Sequence, residues 1–143
     1  MTDLVAAIIT RLKANTTICS STYVGATPNQ RIYRSTFTAR PTLPLIVVHR
    51  VDGVRENAIT RGVRYANARI QCTAMASTDV AADALSELIA DDLNGLTNTI
   101  LSTGANAGVY VVSVEDAGVV PMADPVMGTY LYHRDFTVVY DPR

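Results

Sequence analysis

A chain of 143 residues, 15.4 kDa in mass, is sized for one domain spanning residues 1–143. A domain of this size buries roughly 70% of the surface its unfolded chain exposes, so it needs neither metal nor disulfide to fold. Hydrophobic residues at 48% and charged residues at 17% give a globular composition, not a disordered one. A net charge of −1 argues against bulk nucleic-acid binding. No apolar run approaches the roughly 18 residues of a membrane span, and the opening MTDLVAAIITRLKAN lacks the basic leader of a signal peptide, so no membrane partner is expected.

Leu4, Val5, Ile8, Ile9 and Leu12 fall at helical spacing and predict an amphipathic first helix, with Thr2 as its cap and Asp3 in its first turn. Residues 16–29 read as a loop, and Gln30–Arg34 as a short strand. Pro44 leads the β-branched run Leu45–Val51, the best candidate for a central strand. Residues 52–64 are polar and read as a long hairpin tip or arm. From Tyr65 the chain alternates. Ala66, Ala68, Ile70, Cys72 and Ala74 share one face, and Asn67, Arg69, Gln71 and Thr73 the other, which predicts a sheet covered on one side.

Ser77-Thr78 then caps a second helix over Asp79–Leu93, closed by Asn94-Gly95, with an apolar stripe of Ala81, Ala84, Leu85, Leu88, Ile89 and Leu93. Residues 96–108 read as a loop, Val109–Glu115 as a strand, and 117–128, with Pro121 and Pro125, as a second long connection. An alternating final strand runs from Tyr130 to Tyr140. The class is α+β: a single domain with a mostly antiparallel or mixed sheet covered by two helices, and long arms.

Charge is distributed unevenly. Residues 1–77 carry ten basic residues against three acids, and residues 78–143 carry two against ten. Separated poles suit head-to-tail association of copies, or else they neutralise each other within one subunit. Arg55, Arg61 and Arg64 concentrate positive charge on the 52–64 arm. Asp79, Asp83, Glu87 and Asp91 recur every fourth residue and form an acidic stripe on one helix face. Like charges at that spacing repel by about 0.2–0.5 kcal/mol per pair, so the stripe does not serve the helix itself.

Catalysis has little to build on. His49 and His133 sit in separate strands with no partner at ligand spacing, and Cys19 and Cys72 form no metal motif. Two free thiols are the favoured reading of the cysteines, with a disulfide as the alternative. There is no phosphate-cradling glycine loop, and no cofactor is expected.

The order of elements resembles the tail terminator proteins of long-tailed bacteriophages, also called tail-completion or tail-to-head joining proteins. The likeness rests on the N-terminal helix, IYRS, the Pro-led PLIVVHRV, the polar hairpin, ARIQCTAMA followed by STDVAADALSELIADDLNGL, and the closing YLYHRDFTVVYD. It implies a non-enzymatic virion subunit of the tail or neck, assembled in the host cytoplasm as a homo-oligomeric, hexameric ring. That ring would cap the tail tube protein, stop its polymerisation and meet the head-completion or connector protein, while DNA passes through the lumen without specific binding. On this reading Arg55, Arg61 and Arg64 contact a neighbouring subunit or the tube, and Asp79, Asp83, Glu87 and Asp91 receive those arginines or face the lumen. A head-completion stopper or a tube subunit is the alternative within the same virion, and a nucleic-acid-binding module is a less favoured one.

Overall fold

The computed structural model describes residues 3–25, 30–35, 42–57, 64–103, 108–124, 126 and 128–141, with side chains described except at 52–57 and 64. In chain order the elements are α1 (Leu4–Lys13), β1 (Ile32–Arg34), β2 (Leu45–Asn57), β3 (Arg64–Ala76), α2 (Asp79–Leu93), β4 (Thr97–Ser102), β5 (Gly108–Asp124) and β6 (Thr129–Tyr140). The six strands form one mixed sheet in the order β1-β2-β3-β6-β5-β4. Only the β1–β2 pair is parallel.

The two strands with the cleanest alternation make the middle of this sheet. β3 and β6 pair without interruption from Ala66↔Tyr140 to Ala76↔Tyr130. Their apolar faces point the same way, because a period of two keeps alternate side chains on one surface. Ile70, Cys72, Phe136 and Val138 lie there with Ile46 and Val48 of β2, all buried under Leu4, Ile8 and Leu12 of α1 and Leu85, Ile89 and Leu93 of α2. The second helix lies over β3 and β6, while the first touches β1 and β2 at one end of the sheet and β4 at the other. The sheet therefore curls around both helices, and they share one face of it. On the opposite face Leu45, Val47 and Met75 form a smaller apolar cluster with Tyr33, Leu43 and Leu131.

Local chemistry sets the helix ends. Asp3 is the cap of α1, its Oδ1 accepting from the Ala6 amide at 3.0 Å, so it does not sit in the first turn; Thr2 lies outside the described residues. Thr78 Oγ1 caps α2 by accepting from the Ala81 amide at 3.2 Å. Gly95, at φ +84°, turns the chain out of that helix in a conformation that side-chained residues rarely adopt. The buried stripe of α2 is rotated by one residue from the expected one. Ala82, Ser86 and Ala90 are buried, whereas Ala81, Ala84 and Leu88 are only partly covered.

Two stretches expected to be loops are strands. Thr97–Ser102 forms β4, an exposed edge strand paired with 108–113. Its alternation is hidden because most of its side chains face solvent. The chain from 117 to 124 continues β5 despite Pro121. Val114 explains why. Its amide and carbonyl face away from β6, meeting Leu96 O and Gly95 N at 3.0 Å each. Ladder alternation along β6 gives the residues opposite Arg134, Tyr132 and Tyr130 the same outward orientation; these are Val119, Pro121 and Ala123. The N–H that proline lacks would have pointed off the sheet, a place where a strand tolerates it. The 52–64 arm is shorter than expected, since β2 runs to Asn57 and β3 starts at Arg64.

Among the described residues Phe136 is the largest fully buried side chain, 1% exposed between the two helices and the sheet. Phe136→Ala is expected to lower unfolding stability by about 3–5 kcal/mol, read from the denaturant midpoint at unchanged slope.

Candidate functional site

The acidic stripe lies where its spacing puts it, along the outer side of α2, with Asp79, Asp83, Glu87 and Asp91 all exposed. Its members differ in what they do. Asp79 Oδ1 accepts from the Tyr132 hydroxyl at 2.8 Å, and that hydrogen bond raises the phenol above its ordinary pKa. Glu87 Oε1 accepts from Arg134 Nη2 at 2.8 Å. Asp83 and Asp91 present their carboxylates to solvent. Of the basic arm, Arg61 lies outside the described residues. Arg55 and Arg64 are ladder residues near the ends of β2 and β3, and their side chains are not among those described.

Among the described residues, the most constrained charge is one that sequence reasoning passed over. Arg134 is only 5% exposed, on the apolar face of β6 beneath α2. Its Nε donates to Ser86 Oγ at 2.9 Å, its Nη2 to Glu87 and its Nη1 to Asp116 Oδ2. A buried guanidinium is tolerated only when its donors are met in this way. The signal was present in the sequence. Arg134 is the charged residue among Tyr130, Tyr132, Phe136, Val138 and Tyr140, and Ser86 is the polar one in the buried stripe of α2.

Asp116 extends that network. Its amide donates to Asn94 Oδ1 at 3.0 Å, and its Oδ1 accepts from the Gly118 amide at 2.9 Å across a bulge where Gly118 sits at φ +118°. One residue thus joins the C-terminal cap of α2, the buried arginine and the bend of β5.

The opposite face of the sheet carries a polar band. Arg69 donates to Asp135 Oδ2 at 2.7 Å and Gln71 to Asp135 Oδ1 at 3.1 Å, while Thr73 Oγ1 and His133 Nδ1 lie 2.8 Å apart. Burial pulls the His133 pKa below its ordinary value, with His49 adding to the effect and Asp135 opposing it. Cys72 faces the helices, on the other side of the sheet from both histidines, and burial pushes its thiol up to about 12. That excludes a cysteine–histidine nucleophile pair here. Both cysteines are free. Among the described residues, no group of three or more His, Cys, Asp or Glu side chains could hold a metal ion, and no helix is long and apolar enough to cross a membrane.

The charge poles meet in part within the subunit. Arg11 approaches Asp92 at 3.5 Å beside a hollow of about 210 Å³, and Arg69 reaches Asp135. Arg34 pairs with Asp3 at 2.6 Å inside the basic half, and Arg31 is held by the carbonyls of Tyr23 and Pro44.

The fold has a counterpart among solved structures. A chain of the virion of a native gene transfer agent (GTA) particle matches it with a TM-score of 0.67, over 96% of this chain and 93% of that one, at 14% sequence identity. At that identity the likeness is one of fold. No family model matches the sequence, and no curated protein does.

Two expectations follow. Arg134→Ala, which leaves Asp116 with its main partner gone, should cost about 3–5 kcal/mol of stability by denaturant titration. The depressed His133 pKa means that the unfolded chain takes up a proton more readily than the folded one. Stability should therefore be full above the ordinary value of 6.5 and decline as pH falls below it; His133→Asn should flatten that slope in a pH series of melting temperatures.

Proposed function

We propose that this chain is a non-enzymatic structural subunit of a phage-like virion, built into its tail or neck, and that it acts there as a tail terminator. Copies form a ring, hexameric by the family resemblance, that caps the head-proximal end of the tail tube, stops tube growth and offers a surface to the head connector. The observation that carries the reading is the fold likeness to a gene transfer agent virion chain over nearly the full length of both proteins. The element order of the sequence points the same way. So does the character of the surface, in which charge is spread over helix and sheet faces and the buried Arg134 is consumed internally.

In this role the exposed carboxylates of α2, Asp83 and Asp91 foremost, line the lumen or receive the arginines of a neighbour's arm at 55, 61 and 64. A lumen lined by acids repels phosphate, which lets DNA slide through without adhering. Glu87 and Asp79 have a second duty within the fold, since they hold Arg134 and Tyr132.

Electron microscopy of tubes grown from the matching tail tube protein tests this directly. Added subunit should appear as a cap at one end and arrest elongation; incorporation along the whole tube would make it a tube subunit instead. Asp83→Lys with Asp91→Lys should reduce head–tail joining while leaving the melting temperature within a few degrees, because neither carboxylate supports the fold. Unchanged joining would remove the stripe from the mechanism.

A further inference from the structure

Among the described residues, two diagonal segments of the sheet's edges have no strand beside them. On one edge β1 covers β2 only at Ile46–Val48. Beyond it, no described strand lies along the outer side of β2 from Val51 to Asn57. On the other edge β4 covers β5 only up to Ser113, and the outward amides of Val114 and Asp116 are taken by Leu96 and Asn94. From Gly118 to Ala123, no described strand lies along the outer side of β5. The first open segment is at the β2–β3 hairpin end of the sheet and the second at the β5–β6 hairpin end, as the pairs Ala66↔Tyr140 and Ala76↔Tyr130 mark opposite ends.

We propose that these two segments pair with each other between copies: the outer edge of β5 in one subunit receives the outer edge of β2 from the next, as an antiparallel strand junction. The inference rests on the ring reading and supplies its contact. The geometry and the chemistry of the edges favour this occupant over others. The strands run in opposite directions, because three antiparallel steps separate β2 from β5 in the sheet. Copies related by a simple head-to-tail step therefore present them antiparallel, in a heterologous contact that propagates from subunit to subunit. Their diagonal placement also offsets each subunit along the strand direction, and such a stagger is what a closed sheet of tilted strands requires.

The side chains fit a buried junction. Val119, Val120 and Met122 are 38, 60 and 54% exposed on the open β5 segment, and Val51 and Tyr65 are exposed near the open β2 segment. Exposed apolar residues on an uncovered strand edge are a template for another strand. Charge is complementary as well, with Glu115 and Asp124 flanking the β5 segment and Arg55 within the β2 segment.

Pro121 sets the selectivity. The outward backbone groups of the β5 segment are those of Val119, Pro121 and Ala123, so an incoming strand meets donors at 119 and 123 and only a carbonyl at 121. Two β5 edges brought together would each lack that donor, which disfavours a symmetric dimer. The β2 edge offers a full set, at Gly53 and Arg55, which are outward by the same alternation from Val48.

The test removes an outward N–H that the fold does not use. Val119→Pro and Ala123→Pro should leave the circular dichroism spectrum and melting temperature close to those of the parent. They should also raise the concentration needed for assembly about tenfold or more, by light scattering. Cysteine pairs locate the partner strand. In a Cys19→Ser background, Val119→Cys combined with Gly53→Cys, Arg55→Cys or Asn57→Cys should give a ladder of disulfide-linked multimers on oxidation for one of the three. Val119→Cys alone should stay monomeric on a denaturing gel. Rings that form equally well in both proline variants, or a linked dimer from Val119→Cys alone, overturn the strand junction and leave the ring reading standing. A parent protein that stays monomeric at every concentration and with tube protein removes the ring, and this junction with it.

Discussion

The buried guanidinium of Arg134 is the constraint around which this molecule is arranged. It sits on the covered face of β6 at a point where α2 and β5 both approach, and it is satisfied by one group from each of three positions: Ser86, Glu87 and Asp116. Desolvating an arginine costs several kcal/mol, which only a complete set of acceptors offsets. The register between α2 and the β5–β6 pair is thereby fixed, because sliding either element by one residue would strand the charge. This is also why the buried stripe of α2 is centred on Ser86 and not on the alanines at 81 and 84.

Asp116 passes that constraint to the edge of the sheet. Its carboxylate is held by Arg134, its amide by Asn94 at the end of α2, and its other oxygen by the Gly118 amide. On one side of it β5 is an inner strand, closed by β4 and by the turn after α2. On the other side β5 runs on to Asp124 with β6 as its partner, carrying exposed valines and a methionine. A single residue thus divides the part of β5 that serves the fold from the part that faces outward.

The fold was legible wherever side-chain periodicity reports burial. β3 and β6 alternate because one face is under helices, and α1 and α2 show their stripes for the same reason. The reading stopped where periodicity carries no information. β4 is mostly exposed, and β5 past Ala117 is exposed on both faces, so their strand character comes from backbone pairing that side chains do not record. Pro121 read as a breaker because, without the ladder, the direction of its missing N–H is invisible. The acidic stripe was legible as a pattern, yet its division into two structural carboxylates and two outward ones needed Tyr132 and Arg134 to be brought across from a strand some fifty residues away. Arg134 itself is the instructive miss. A charge on an apolar face is a signal, and its meaning appears only once its acceptors are assembled in space.

The central claim is that this chain works as one copy among several in a closed assembly. The most direct measurement is the absolute mass of the purified protein by light scattering across concentration, at low and high salt, alone and with tail tube protein. For the protein alone the account predicts one discrete species at a small integer multiple of 15.4 kDa. Its population should fall as salt screens the opposed charges of neighbouring subunits. A mass of one subunit under every condition would contradict it, and so would open-ended growth without a defined size.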